Sequence, residues 1–144
     1  MATVADIIGT KGSEVLCVGE TATVLGATKL MNEHHVGSVV VMGAGGCVAG
    51  ILTERDLLRR VVAAERDPFT TLVRDVMTRD VVFCTHETTV DELRELFRSR
   101  RIRHVPVRAG AGVCAMVSIG DVNAWDAQQL AATVISLTEY ITRA

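Results

Sequence analysis

Two copies of one short pattern, 65 residues apart, constrain the fold of this chain more than any other feature of its sequence. The first copy is Gly50-Ile-Leu-Thr-Glu-Arg-Asp56 and the second is Ala115-Met-Val-Ser-Ile-Gly-Asp121. In each copy an apolar run typical of a strand leads to a hydroxyl residue, two variable residues and an aspartate, and a helical pattern follows. A chain that carries this pattern twice is predicted to contain two similar structural units.

The pattern has two interpretations. Thr53 with Asp56, and Ser118 with Asp121, have the spacing of a helix N-terminal capping box, although Glu or Gln is the usual acidic partner. A hydroxyl and a carboxylate at a helix start also suit a phosphate and a ribose. The free backbone N–H groups and the helix dipole attract the anion, and an acid accepts hydrogen bonds from sugar hydroxyls. The pattern alone leaves both interpretations open.

The repeat extends well beyond these motifs. Residues 4–8 are echoed by 73–77, residues 15–18 by 81–84, and residues 35–41 by 101–107. Each copy predicts the order strand, helix, strand, strand, helix. The short strands are 15–18 and 81–84, the helices are 22–34 and 89–101, and the hairpins join 37–42 to 47–52 and 103–108 to 112–117.

One such unit cannot bury both faces of a three-stranded sheet by itself. We therefore predict a mixed α/β fold of the α+β type, in which two βαββα units pack about a pseudo-twofold axis with their sheets facing each other. The predicted units are residues 1–66 and 67–144. A short N-terminal segment begins the first unit, and a helical tail ends the second.

Composition limits the binding partners and the cellular location that we expect for this chain. The net charge of −2 and the pI of about 6.1 give no general attraction to nucleic acid or to an acidic membrane. No apolar run approaches the ~20 residues that span a bilayer, and the N-terminus lacks the pattern of a signal peptide. The four cysteines are widely spaced in Val-rich, strand-like contexts, which predicts buried, reduced thiols. We expect a soluble cytoplasmic protein.

At this level of detail the chain resembles a tandem cystathionine-β-synthase (CBS) domain pair, or Bateman module, over almost its whole length. The resemblance is carried by residues 50–56, by Ser118-x-x-Asp121, by Arg103-His-Val-Pro-Val107 and by Asp75-Val-Met-Thr78. Lys11-Gly12 and the segment 127–142 are similar to stand-alone bacterial members. The resemblance implies a regulatory module that is not an enzyme and needs no cofactor. It would bind an adenosine compound (AMP, ADP, ATP, NAD or S-adenosylmethionine) between its repeats and signal to an effector protein.

The resemblance also implies two clefts, in which the aspartate holds the ribose hydroxyls and the Thr or Ser lies by the phosphate. One cleft would combine Thr53 and Asp56 of the first repeat with Arg103, His104 and Pro106 of the second. The other would combine Ser118 and Asp121 with Lys11, Gly37 and Ser38. Arg55, in the first helical turn, either contacts a phosphate of the ligand or is an ordinary solvent-exposed surface residue.

Three departures from the family pattern all affect the second cleft. Ala115 replaces the motif glycine, Val40 stands where Pro106 stands in the second copy, and Gly37-Ser38 replaces the basic pair Arg103-His104. We therefore expect the Thr53/Asp56 cleft to be the better ligand site.

Two other functional classes stay open. A module that has lost ligand binding would act only in structure or partner docking. An enzyme is disfavoured because the sequence shows no evident nucleophile–base pair and no metal-ligand spacing.

A homodimer is also predicted. The helix from Leu57 carries more apolar positions than its own sheet needs, and the tail places Leu130, Val134, Leu137 and Ile141 on one helical face. The alternative is that the tail folds back over its own domain.

Overall fold

The computed structural model describes residues 1–143 and confirms the mixed α/β fold with two similar units. The helices are α1 (Val4–Lys11), α2 (Val24–Glu33), α3 (Glu54–Asp56), α4 (Val73–Val76), α5 (Val90–Arg100) and α6 (Ile119–Arg143). The strands are β1 (Cys17–Gly19), β2 (Ser38–Met42), β3 (Val48–Thr53), β4 (His104–Ala109) and β5 (Gly112–Ser118).

The two sheets differ in size. In the first unit β1 runs parallel to β2, and β2 pairs antiparallel with β3. In the second unit β4 and β5 form an antiparallel hairpin, and the strand predicted over 81–84 is reduced to a single bridge between Cys84 and Val107. The prediction of a full strand was wrong there because the Val81 N–H donates to the Arg79 carbonyl at 3.0 Å. This tight turn removes the Val81 N–H from strand pairing, and residues 81–83 join no ladder.

The two units exchange their N-terminal segments. The Val4 N–H donates to the Thr88 carbonyl, and the Val73 N–H donates to the Ala22 carbonyl, both at 2.8 Å. Helix α1 thus packs into the core of the second unit, and α4 packs into the core of the first. Reciprocal contacts between equivalent residues are what a pseudo-twofold axis produces. The boundary at residue 66 stays a prediction, and each hydrophobic core draws side chains from both sides of it.

Helix α3 continues without a break into a π-helical turn over Leu57–Val62, where the Ala63 N–H donates to the Leu58 carbonyl five residues back. The turn places Val61 in the core and leaves Leu58 64% and Val62 68% exposed. An unpartnered apolar face therefore remains on this helix, as the sequence predicted.

The C-terminal helix α6 is one continuous helix of 25 residues. Its first turns pack on α1, α5 and β5, and Val122 is buried there. Every residue from 126 to 143 is exposed, so the alternative in which the tail folds back over its own domain is wrong. Across residues 1–143, no helix, α6 included, is both long and apolar enough to cross a membrane.

The cysteines are less uniformly buried than predicted. Cys84 is buried, and burial, helped by the nearby Cys114, raises the pKa of its thiol to about 11. Cys17 and Cys47 are exposed, so the prediction was wrong for both. Cys17 lies at the start of the edge strand β1, and Cys47 lies in the turn between β2 and β3.

Candidate functional site

A cavity of about 340 Å³ opens where the β3–α3 junction of the first unit meets the start of β4 in the second. Its volume is within the usual range for small-molecule sites. Its lining combines charged and polar groups with apolar side chains: Ile51, Thr53, Glu54, Arg55, Asp56, Leu58, Arg59, Thr78, Ile102, Arg103 and His104. The residues predicted for the first cleft therefore meet here, with the exception of Pro106.

Asp56 is the centre of the hydrogen-bond network in the cavity. It is only 6% exposed, and its Oδ2 accepts from the Thr53 N–H at 3.0 Å. The Thr53 hydroxyl donates to Oδ2 at 3.2 Å and accepts from the Asp56 N–H at 3.3 Å. Oδ1 accepts from the Thr78 hydroxyl at 2.9 Å, with Arg60 Nε 3.9 Å away.

The capping interpretation of the repeated motif is thereby confirmed. Thr53 and Asp56 form a reciprocal capping box, and the second copy does the same. The Ser118 N–H donates to Asp121 Oδ2 at 2.8 Å, and the Asp121 N–H donates to Ser118 Oγ at 3.1 Å. Capping does not use the whole hydrogen-bond acceptor capacity of Asp56, because each carboxylate oxygen has two lone pairs. Its second oxygen is satisfied from outside the motif.

Thr78 was missed as a site residue, although it belongs to a motif that the sequence made visible. It reaches Asp56 because β3 and the segment after α4 lie very close together. Ile51 and Thr78 exchange two backbone hydrogen bonds, of 3.0 and 2.8 Å. A Cβ added at Gly50 would lie 2.4 Å from the Thr78 carbonyl oxygen. The motif glycine was therefore the available signal for this contact, since only glycine permits such an approach.

Three guanidinium groups and two carboxylates give the cavity a positive balance. Arg55 is partly committed, because its Nη1 donates to the Arg101 carbonyl at the end of α5 and so links the two units. Arg59 and Arg103 line the cavity as well, and Arg59 was not predicted. The carboxylate of Glu54 also lines the cavity and offsets part of this positive charge.

His104 lies at the junction of the two predicted clefts. It pairs with Ser118 across the β4–β5 hairpin, and its Nε2 would be 3.3 Å from a Cβ built on Gly37. Burial lowers the pKa of the imidazole, and the positive charges of Lys11 and Arg103 act in the same direction. The carboxylates of Glu54 and Asp121 oppose this shift. The pKa of His104 therefore depends on charged residues of both clefts.

An ion pair joins two of the residues predicted for the second cleft. Lys11 Nζ lies 2.7 Å from Asp121 Oδ2 and donates to the Met116 carbonyl at 2.5 Å. The predicted approach of Lys11 to Asp121 is thus observed. In this arrangement the lysine holds Oδ2 of the carboxylate that a ligand would need, so a ligand would have to compete with it.

The remaining predicted residues lie beside the clefts. Ser38 is buried and pairs with Thr53 across the β2–β3 hairpin. Gly37 contacts Glu54, whose N–H donates to the Gly37 carbonyl at 3.0 Å. Pro106 is buried in the middle of β4 and offers its carbonyl to the Cys84 N–H.

The family model for the CBS domain matches this chain twice, at residues 4–63 and 73–127. The chain belongs to the CBS-domain family. It carries two CBS repeats, and such pairs are regulatory modules. Their duplicated architecture explains why the equivalent helices α1 and α4 each pack into the core of the other unit.

Known CBS proteins resemble this one along most of its length. A mitochondrial CBS domain-containing protein of Arabidopsis thaliana is 40% identical over 129 residues, which is 83% of this chain and 62% of that protein. The chain thus spans less than two thirds of that relative. The crystal structure of a CBS-domain containing protein from Agrobacterium tumefaciens has 39% identity and a TM-score of 0.80, covering 86% of this chain and 93% of the other. A CBS-CP12 protein from bloom-forming cyanobacteria, described as hexameric, has 29% identity and a TM-score of 0.76, covering 85% and 69%.

Within residues 1–143 there is no group of three or more His, Cys, Asp or Glu side chains placed to hold a metal ion.

Proposed function

We propose that this CBS pair binds an adenine nucleotide in the Thr53/Asp56 cavity and acts as a regulatory module without turning the ligand over. The observation that carries the proposal is the meeting of two repeats in one cavity. The first repeat supplies Asp56, and the second supplies Arg103 and His104.

The cavity has groups suited to each part of such a ligand. Oδ1 of Asp56 keeps one lone pair that suits a ribose hydroxyl, since charged acceptors make the stronger hydrogen bonds. The planar guanidinium of Arg103 suits a phosphate, which it can bind in a bidentate manner. The apolar side chains of Ile51, Leu58 and Ile102 offer surface for a base.

AMP, ADP, ATP, NAD and S-adenosylmethionine remain the candidate ligands, and no cofactor is proposed. The second cleft would be the weaker site, because a ligand there must displace Lys11 from Asp121. We place the protein in the cytoplasm, with an effector protein as its downstream partner and without nucleic-acid or membrane binding.

A thermal-denaturation panel with these ligands tests the proposal. A ligand that binds only the folded state should stabilise it by about 2.7 kcal/mol at a hundredfold excess over its Kd. The matched Asp56→Asn variant should lose about half of that stabilisation or more, because its affinity should fall at least tenfold. Absence of any shift at millimolar ligand would favour a docking module without ligand, and release of product from ATP or NAD would instead indicate an enzyme.

We also propose a homodimer, because the exposed side chains of Leu58 and Val62 form an apolar face that a twofold contact would bury. Val122, which stands in the second repeat where Leu57 stands in the first, is buried in its own core and adds nothing to this face. Light scattering at low micromolar concentration tests the assembly. A dimeric mass for a chain ending at Asp126 would support an interface on the body of the protein.

A further inference from the structure

The C-terminal part of α6 stands away from the rest of the chain. Residues 127–143 are all exposed, and at 1.5 Å per residue they extend for about 25 Å. The last anchoring contact is the ion pair between Arg94 of α5 and Asp126. Beyond this point the helix has no neighbour among the described residues.

The composition of this segment does not favour a solitary helix in water. It contains six β-branched residues, Thr133, Val134, Ile135, Thr138, Ile141 and Thr142, which lower helix propensity. Its only charged residues are Glu139 and Arg143. Isolated helices of this size are marginal even with good helix formers, and most helical stability in proteins comes from packing. The segment therefore needs a partner.

Four large apolar side chains define where that partner would pack. Leu130, Val134, Leu137 and Ile141 follow one another at spacings of four, three and four residues. They are 67%, 54%, 57% and 72% exposed. In heptad terms, Val134 and Ile141 occupy a positions, and the two leucines occupy d positions. β-Branched residues at a with leucine at d favour parallel, two-stranded coiled coils.

We infer that residues 127–143 pair with the same segment of a second copy as a parallel, two-stranded coiled coil. The flanking e and g positions within the segment are Ala131, Thr133, Thr138 and Tyr140. None of them is charged at neutral pH, so identical helices meet without like-charge repulsion. The inference rests on the proposed homodimer. Two heptads are short, and contact between the bodies would raise the effective concentration of the tails.

A matched pair of full-length variants tests the seam. Leu137 and Ile135 are almost equally exposed, at 57% and 59%, but only Leu137 lies on the seam. Leu137→Lys should raise the dimer dissociation constant at least about tenfold, which is 1.4 kcal/mol, whereas Ile135→Lys should change it less than about twofold. Sedimentation equilibrium measures both constants, and thermal denaturation of the variants checks that they fold.

The outcomes separate this inference from the proposed dimer. A monomeric full-length protein would overturn both proposals. If Leu137→Lys and Ile135→Lys are equally dimeric, the bodies make the dimer and the coiled coil is refuted. If the chain ending at Asp126 is a monomer while the full-length chain is a dimer, the tail carries the association.

Cross-linking tests the parallel orientation. In a background with the exposed Cys17 and Cys47 changed to Ser, we would compare Val134→Cys with Ile135→Cys under mild oxidation. A parallel coil places the two copies of position 134 opposite each other at the seam, so Val134→Cys should form a covalent dimer rapidly. Equal cross-linking of the two variants, or none, would overturn the parallel coil.

Discussion

Gly50→Ala is the change that most directly tests how the cavity is built. The new Cβ would lie 2.4 Å from the Thr78 carbonyl oxygen, and real Cβ atoms essentially never approach a neighbour closer than 3.0 Å. The obstacle is backbone, so a side-chain rotation cannot relieve it. The two strand segments must separate, which weakens both hydrogen bonds between Ile51 and Thr78.

The expected cost follows from these contacts. Overpacking of this kind costs roughly 1–3 kcal/mol, and each weakened hydrogen bond adds about 0.5–1.5 kcal/mol. We expect a loss of about 2–6 kcal/mol in the free energy of unfolding, measured by urea denaturation. Ligand affinity should also fall, because Thr78 would be withdrawn from Asp56.

Gly9→Ala is the matched control for this experiment. A Cβ at Gly9 meets nothing within 4 Å, and the residue lies inside α1. The control should be neutral or stabilising by about 0.5–1 kcal/mol. A loss below 1 kcal/mol for Gly50→Ala would refute the argument that close approach of the backbones positions Thr78.

Three further predictions concern the charged groups. Asp56→Asn and Asp121→Asn should each lower the stability of the ligand-free protein by ~1 kcal/mol through lost capping. Calorimetry should show a tenfold or larger loss of affinity only for Asp56→Asn, because charge-assisted hydrogen bonds are worth ~1.5–3 kcal/mol. Unchanged affinity would exclude the ribose role. Arg103→Ala should weaken ATP more than adenosine, and equal losses would show that Arg103 does not serve the phosphates. Because burial lowers the pKa of His104 below its ordinary value of 6.5, its contribution to stability should be complete above pH 6.5 and lost as the pH falls further. Urea denaturation at a series of pH values should therefore show a steeper loss of stability in acid for the wild type than for His104→Gln. Parallel curves would contradict this prediction.

The local patterns of this sequence predicted the elements well where side-chain periodicity and turn residues agree. Both hairpins, α2 and α5 lie within a few residues of their predicted positions, because glycines mark the turns and apolar spacing marks the helix faces. The strand over 81–84 failed for a local reason, the turn at Val81. Nothing in its run of apolar residues distinguishes it from a paired strand.

Long-range contacts were harder to predict. The meeting of Asp56 with Arg103 and His104 came from the family resemblance, since residues almost 50 positions apart show no mutual pattern. Thr78 was missed because its place in the cavity depends on how α4 packs into the first unit. Arg59 was missed because its helix was considered only for its apolar positions. The sequence predicted that Lys11 lies near Asp121, but it did not predict the direct ion pair between them.

The central claim is that an adenine nucleotide occupies the Thr53/Asp56 cavity, and titration of the ¹⁵N-labelled protein with AMP followed by amide NMR tests it most directly. We predict that the largest shifts fall on residues 53–56, on Thr78 and on residues 102–104, and that Asp56→Asn strongly reduces them at an AMP concentration equal to the wild-type Kd. Shifts confined to the hairpin tips around Cys47 and Gly112, or no shifts at millimolar AMP, would contradict the account.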